Sequence, residues 1–116
     1  MLHLFEKYPR LQEKLPYRSF GTFPTPVEKL EYLGQVIHVP NLYAKREDRN
    51  GTLYGGNKVR ALEFLLGDAL QEGVEQVMAG GFPASCQTLA QAISARQFDI
   101  KSLAILKAFH RFFEQM

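Results

Sequence analysis

The sequence lacks most of the features that mark a specialised class of protein. It has a single cysteine, Cys86, in 116 residues, which excludes an internal disulfide framework and a zinc site built from several thiolates. The formal net charge is only +2, and the lysines and arginines form no stripe, so nucleic acid is not expected as a partner. With 46% apolar and 22% charged residues, the composition is that of an ordinary globular protein.

Long apolar runs are absent too. No stretch approaches the roughly 18 uninterrupted apolar residues that a membrane-spanning helix needs, and residues 1–8 lack the apolar core of a secretory signal. The histidines at positions 3, 38 and 110 show no metal-ligand spacing. We therefore expect a cytoplasmic protein without a metal site and without a membrane partner.

The first half of the chain predicts loops and short strands. Prolines at positions 9, 16, 24 and 26 disfavour helix in the residues that precede them, so residues 20–27 are expected to be extended. A short helix is predicted over residues 28–33, ended by Gly34. Residues 36–39 and 42–46 are rich in β-branched and aromatic side chains, which predicts two paired strands. Residues 46–51 have the composition of a turn.

The second half predicts alternating helices and strands. A helix is expected after Asn57, a suitable N-cap, with Gly73 as its terminator. Its apolar face has spacings of three and four and comprises Val59, Leu62, Leu66, Ala69 and Leu70. A strand over residues 74–79 should follow, and then a glycine turn.

A second helix with an apolar stripe of Leu89, Ala92 and Ile93 and a strand over residues 102–106 complete the predicted pattern. This order is typical of an α/β protein with a parallel sheet. Because few residues follow, we expect an incomplete sheet, with little for Leu106 and the phenylalanines at positions 109, 112 and 113 to pack against.

Gly55-Gly56-Asn57-Lys58 is the first segment that could carry chemistry. Glycines let the backbone approach a bound group closely. Lys58 lies at a predicted helix start, where the macrodipole disfavours a cation, and a neutral lysine amine can attack an aldehyde carbon. The spacing does not match the phosphate loop of nucleotide triphosphatases. On these grounds alone, a solvated surface lysine remains the ordinary alternative.

Gly80-Gly81, just before Ser85, is the second such segment. A glycine turn between a parallel strand and a helix lies where ligands of open α/β folds bind, and helix-start N–H groups suit an anion. Such a turn also needs glycine without any ligand, and Ser85 could act only as an N-cap. Cys86 could be a nucleophile or a small buried residue.

Ordered blocks along roughly residues 22–106 resemble the pyridoxal-phosphate (PLP) dependent family of 1-aminocyclopropane-1-carboxylate (ACC) deaminase and D-cysteine desulfhydrase. They are residues 23–28 (FPTPVE), 42–48 (LYAKRED), 55–66 (GGNKVRALEFLL), 68–73 (DALQEG) and 77–81 (VMAGG). In this family the lysine of the Asn-Lys motif holds PLP as a Schiff base, and Lys58 matches it. The resemblance favours a catalytic and cofactor-binding Lys58, with Asn57 and Ser85 as further cofactor-binding residues.

The resemblance also implies a fold and a reaction. The fold is the tryptophan-synthase-β-like α/β fold (fold type II), a three-layer parallel-sheet fold that is incomplete here. Residues 1–72 would be the lysine-bearing segment of the large domain, and residues 73–116 the start of the small α/β domain. The reaction is lyase or hydrolase chemistry on a small amino acid, releasing ammonia and an oxo acid, and full-length relatives are homodimers.

The chain departs from the family pattern in several places. Where the family typically has Gln-Ser-Asn-His, the chain has Ala84-Ser85-Cys86-Gln87, and Ala61 stands where a basic residue is frequent. Family members are several times longer, and their later part brings the glycine-rich phosphate loop and the partner of the pyridine nitrogen. We therefore expect the chain alone to be inactive. The second hypothesis is a catalytically dead α/β fragment that acts as a binding or assembly module.

Overall fold

Within the described residues, the strands form two separate two-stranded sheets, one antiparallel and one parallel, in a mixed α/β architecture. The computed structural model describes residues 2–107, so the phenylalanines at positions 109, 112 and 113 lie outside it. The elements are α1 (His3–Lys7), α2 (Pro9–Gln12), β1 (Val27–Lys29), α3 (Glu31–Val36), β2 (Tyr43–Lys45), a turn of 3₁₀ helix (Glu47–Arg49), α4 (Val59–Gln71), β3 (Gln76–Gly81), α5 (Cys86–Arg96) and β4 (Lys101–Leu106). Within residues 2–107, no helix is long and apolar enough to cross a membrane.

The helix–strand alternation of the second half is confirmed. α4 is followed by Gly73 with φ +66°, the left-handed conformation that favours glycine as a helix terminator. β3 and β4 then pair in parallel, with Gln76 opposite Lys101 and Gly81 opposite Leu106. α5 connects the two strands and packs against both of them and against α4. The parallel sheet and the α/β class therefore follow the prediction.

The core lies between α4, α5 and the parallel sheet. Its buried residues are Leu62, Leu66, Ala69, Ala90, Ala95 and Ile100. Leu62 and Leu66 are each only 1% exposed, and complete burial of such a side chain contributes roughly 1.5–3 kcal/mol. The predicted apolar face of α4 is confirmed except for Leu70, which is exposed. This core fixes the starts of both helices relative to the sheet.

The predicted apolar stripe of α5 is wrong. Leu89 is 50% exposed, and Ala92 and Ile93 are only partly buried. The buried face instead consists of small and polar residues: Thr88, Ala90, Gln91, Ser94 and Ala95. Small side chains let the helix axis come close to the sheet and to α4, which a face of larger side chains would prevent.

The helix predicted over residues 28–33 and the strand predicted over 36–39 are also wrong. The chain forms β1 first, and α3 then runs through Gly34 rather than ending there. Gly34 permits a tight return of the chain, because its carbonyl accepts a 2.7 Å hydrogen bond from the Val39 N–H. A Cβ at position 34 would lie 2.6 Å from the Val39 oxygen. The second predicted strand is confirmed as β2, but its antiparallel partner is β1, with Val27 opposite Lys45.

A buried carboxylate holds the extended N-terminal segment on α4. Glu63 is 1% exposed and accepts hydrogen bonds from the Tyr17 hydroxyl at 2.8 Å and from the N–H groups of Phe20 and Gly21 at 3.0 and 2.8 Å. The Arg18 N–H donates to the Glu63 carbonyl at 2.8 Å. These contacts satisfy the donors of a segment that belongs to no helix or strand.

Candidate functional site

Lys58 lies at the start of α4, as predicted, although the details differ. The prediction that Asn57 is the N-cap is wrong, because α4 begins at Val59 and Lys58 occupies the N-cap position. Lys58 has helical dihedral angles, and its carbonyl accepts a 3.0 Å hydrogen bond from the Leu62 N–H. No side chain caps this helix, and the Asn57 side chain is exposed.

The Lys58 side chain is partly buried, and its ammonium group is not engaged within residues 2–107. Other cations near this segment do have acidic partners: Arg60 pairs with Glu47, and Arg46 pairs with Glu28 and Asp48. No hydrogen bond or ion pair of this kind forms at Lys58 within the described part of the chain. The amine is therefore not committed to a structural contact there.

Ser85 lies at the start of α5, at the carboxyl end of β3. It occupies the N-cap position, and its carbonyl accepts hydrogen bonds from the Leu89 N–H at 3.2 Å and the Thr88 hydroxyl at 2.9 Å. Its own hydroxyl makes no capping hydrogen bond. The interpretation of Ser85 as an N-cap is thus confirmed for the backbone only, and the hydroxyl is not used as a cap.

Tyr54 and Cys86 adjoin the two glycine segments in the sequence. A hydrogen bond with the Cys86 side chain raises the pKa of the Tyr54 phenol. Tyr54, which directly precedes Gly55, also packs against the core that α4 and α5 share, and Cys86 directly follows Ser85. Cys86 is exposed, so the interpretation of this residue as an ordinary buried cysteine is wrong.

The turn before the Lys58 segment contains a residue that the sequence reasoning missed. Asn50 is completely buried, at 0% exposure. Its Nδ2 donates to the Gly56 carbonyl at 2.9 Å, and its Oδ1 accepts from the Gly56 N–H at 2.9 Å. Asparagine is common in exposed turns, so its presence beside a glycine gave no signal of this buried contact.

Glu47 is the second missed residue. Its carboxylate accepts hydrogen bonds from Arg60 Nε and Nη2, both at 2.9 Å, from the Thr25 hydroxyl at 2.7 Å and from Asn50 Nδ2 at 3.1 Å. The hydrogen bonds from Arg60 and Thr25 lower the pKa of Glu47 to about 2. The Arg60 guanidinium also lies over the Phe23 ring, 4.1 Å from its centroid. Glu47 thus ties together three parts of the chain, and local spacing alone could not reveal this.

The residues present fit one side of a PLP site. Within residues 2–107, Gly56 and Gly80 each have open space where a Cβ would project, with no atom beyond their chain neighbours within 4 Å, so a planar group could approach the backbone at both glycine segments. Within the described residues 2–107, neither the Lys58 amine nor the Ser85 hydroxyl beside them makes a hydrogen bond. Within residues 2–107, no group of three or more histidine, cysteine or acidic side chains could hold a metal ion.

One cavity of the chain lies away from these residues. It has a volume of about 650 Å³ between the N-terminal residues and α4, and Phe23, Arg60 and Phe64 line it together with residues of α1. Neither Lys58 nor Ser85 contributes to it. Its lining within residues 2–107 is largely apolar and includes no lysine, so these residues offer no amine to an aldehyde cofactor.

Known proteins resemble most of this chain, although no established protein-family profile matches it. An ACC deaminase of Allorhizobium ampelinum is 38% identical over 102 residues, covering 83% of this chain and 26% of that protein. An ACC deaminase of Burkholderia ambifaria is 38% identical over 106 residues, covering 90% of this chain and 28% of that protein. A D-cysteine desulfhydrase of Salmonella typhimurium is 36% identical over 110 residues, covering 91% of this chain and 30% of that protein.

The alignments therefore cover most of this chain but only 26–30% of these relatives. This coverage is consistent with the N-terminal segment that the sequence motifs implied. The names of the relatives are those of the family identified from the Lys58 motif. The chain is a homologue of the ACC deaminase and D-cysteine desulfhydrase family, over a segment that is less than a third of the length of these members.

Proposed function

We propose that this chain is the N-terminal segment of a PLP-dependent deaminase or desulfhydrase of fold type II, and that Lys58 binds the cofactor. The observation that carries the proposal is the Lys58 amine, which lies at a helix start in a glycine segment without a hydrogen-bond or ion-pair partner within residues 2–107. Relatives named ACC deaminase and D-cysteine desulfhydrase support it. In this proposal, residues 1–72 belong to the large domain and residues 73–116 begin the small one.

Each of the proposed site residues has a role that its position allows. PLP, when bound, supplies an electron sink for the substrate's bonding electrons. The Lys58 Nζ would hold the cofactor covalently and then take up and return the substrate proton. The Ser85 hydroxyl and the N–H groups at the start of α5 would bind an anionic oxygen of the cofactor or the substrate carboxylate. The exposed Asn57 side chain would provide a further hydrogen bond beside Lys58.

The proposed reaction is the one that the names of the relatives describe. A small amino acid of the ACC type would take up water and yield ammonia and an oxo acid, and one of the D-cysteine type would also release its β-substituent as hydrogen sulfide. The proposal requires one small substrate to reach both Lys58 and the start of α5, and the packing of Tyr54 against the core that α4 and α5 share supports it. The substitution of Cys86 and Gln87 for the family's asparagine and histidine would alter the substrate contacts.

A second candidate function is a catalytically inactive binding or assembly module. The observation that favours it is β4, which is exposed along its whole described length. Met78, Leu103 and Ile105 of the parallel sheet are 62%, 47% and 54% exposed. Apolar residues on an open strand edge favour association with another chain or segment.

Chemical mapping of the PLP adduct tests the role of Lys58. The chain is mixed with PLP, its absorption spectrum is recorded, and the adduct is reduced with borohydride and digested for peptide mapping. We expect the label to concentrate on Lys58 and to be lost in Lys58→Ala. Lys29→Ala, at an exposed lysine of β1, is the matched control and should keep the label. An even distribution of label over all lysines would contradict the assignment.

A further inference from the structure

Asn50 makes two hydrogen bonds with the backbone of Gly56. The amide donates to the Gly56 carbonyl and accepts from the Gly56 N–H, at 2.9 Å in each direction. A side-chain amide matches a backbone segment in this way because it offers a donor and an acceptor side by side. Gly56 has φ +130°, a conformation that other residues rarely adopt, and the Asn50 contact fixes it there.

The backbone of Asn50 is itself held firmly. Its carbonyl accepts a 2.8 Å hydrogen bond from the Thr22 N–H, and the side chain is completely buried. Nδ2 has a second acceptor in Glu47, at 3.1 Å. The amide is therefore oriented with its nitrogen towards Glu47 and the Gly56 carbonyl.

The Gly56 carbonyl links the Asn50 side chain to the start of α4. The same oxygen that receives Asn50 Nδ2 also accepts from the Val59 N–H, at 3.3 Å. Lys58 lies between these two residues in sequence, and Val59 is buried at 1% exposure. Any shift of Gly56 would therefore move the backbone that carries the Lys58 side chain.

The other side of Lys58 is tied to the same group of residues. Arg60 donates two hydrogen bonds to the Glu47 carboxylate, and this carboxylate also accepts from Asn50. The backbone on both sides of Lys58 is thus fixed by Glu47 and Asn50, neither of which needs to touch the amine.

We propose that Asn50 is a positioning residue for Lys58: its buried amide fixes Gly56 and thereby holds the Lys58 amine at the place where a cofactor aldehyde is bound. This inference depends on the proposed function of Lys58. A purely structural asparagine would stabilise the turn but would leave the reactivity of Lys58, relative to other lysines, unchanged.

The test compares Asn50→Ala and Asn50→Asp with the wild-type chain. Asn50→Asp keeps an acceptor for the Gly56 N–H but loses the donor and places a negative charge next to Glu47. Asn41→Ala and Asn41→Asp, at an exposed turn position, are the matched controls. Two quantities are measured: hydrogen exchange of the Gly56 amide, and the rate of PLP labelling at Lys58 relative to Lys29 in the same molecule after borohydride reduction. Exchange of the β3–β4 amides reports whether each variant is folded.

In folded Asn50 variants we expect the relative labelling of Lys58 to fall by about tenfold, since small positional errors of a reacting group have large effects on rate. Gly56 exchange should be about tenfold faster in Asn50→Ala, the change expected for loss of one hydrogen bond. If Asn50→Ala does not fold, the labelling of Lys58 relative to Lys29 in Asn50→Asp is the deciding measurement. Suppose that the label on the wild-type chain is concentrated on Lys58 and that a folded Asn50 variant shows the same relative labelling. This result would overturn the positioning role of Asn50 but not the proposed function of Lys58. Wild-type label without preference for Lys58 would overturn the proposed function, and the inference with it.

Discussion

The Ser85 side chain lies directly against the Cα of Gly81. A Cβ built at position 81 would come within 2.8 Å of Ser85 Oγ and 2.9 Å of Ser85 Cβ, and within 3.2 Å of a Thr88 methyl carbon. Gly81 is the last residue of β3 and Ser85 the last before α5. The absence of a side chain at Gly81 therefore sets how closely the start of α5 approaches the end of the strand, and so where the Ser85 hydroxyl lies.

Gly81→Ala should displace Ser85 and destabilise the chain, whereas Gly80→Ala should not. Forcing a methyl group into an occupied space costs typically about 1–3 kcal/mol. The space beside Gly80 is open, with no atom within 4 Å of a built Cβ, which makes it the matched control. Urea unfolding followed by circular dichroism measures both. Equal free energies of unfolding for the two variants would contradict the close packing at Gly81.

Glu63→Ala should lower the free energy of unfolding by about 3 kcal/mol. A buried hydrogen-bond donor left without an acceptor costs about 1–3 kcal/mol, and this variant removes the acceptor of several donors. The donors are the Tyr17 hydroxyl and the N–H groups of Phe20 and Gly21. Glu63→Gln should lose less, since its amide oxygen can still accept the two N–H groups. Glu72→Ala, at the exposed end of α4, is the control. A loss in Glu72→Ala as large as in Glu63→Ala would contradict the anchoring role.

Glu47 should make the stability depend on pH in the acid range. Hydrogen bonds from Arg60 and Thr25 lower its pKa from 4.5 to about 2 in the folded chain, so the unfolded chain binds the proton more readily. The stabilisation is then complete above pH 4.5 and is lost as the pH falls towards about 2. The difference in unfolding free energy between wild type and Glu47→Gln should shrink over this range. A difference that stays constant with pH would contradict the lowered pKa; Glu13→Gln, at an exposed position without these contacts, is the control.

The 116-residue chain alone should turn over neither ACC nor D-cysteine appreciably. The chain spans less than a third of the length of these relatives, and the family resemblance implies that groups for the cofactor phosphate and the pyridine nitrogen lie in the remainder. Positional errors of about 1 Å can cost on the order of a hundredfold in rate. Release of ammonia from either substrate is the measurement. Turnover that disappears in Lys58→Ala would contradict the expected inactivity while supporting the role of the lysine.

The sequence predicted the parts of this chain that depend on local patterns. Apolar spacing and glycine positions were sufficient for α4, β3, β4 and the positions of Lys58 and Ser85. They failed where distant contacts decide the structure. β2 pairs with β1, with Val27 opposite Lys45, and this pairing of distant segments overrides the β propensity of residues 36–39, which form the end of α3 and the turn after it.

The candidate site was predicted in the same uneven way. Family motifs indicated Lys58, which a physical argument alone would have left as a surface lysine. Neither approach found Asn50 or Glu47, because their importance comes from burial and from hydrogen bonds to Gly56 and Arg60. A polar residue in a charged turn has the same local signature whether it is exposed or buried.

The hydrogen bonds to Glu63 attach the segment around residues 17–21 to α4 of the same chain. The hydrogen bonds to the Glu63 side chain join residues 42 to 46 positions apart, so the intervening chain acts as a tether. Closing a flexible loop of that size costs entropy, but the cost grows only slowly with loop length, and the tether supplies a high effective concentration. A chain cut within this tether, for example near residue 40, should therefore reassemble from its two pieces, held by the hydrogen bonds to Glu63 together with the β1–β2 pairing.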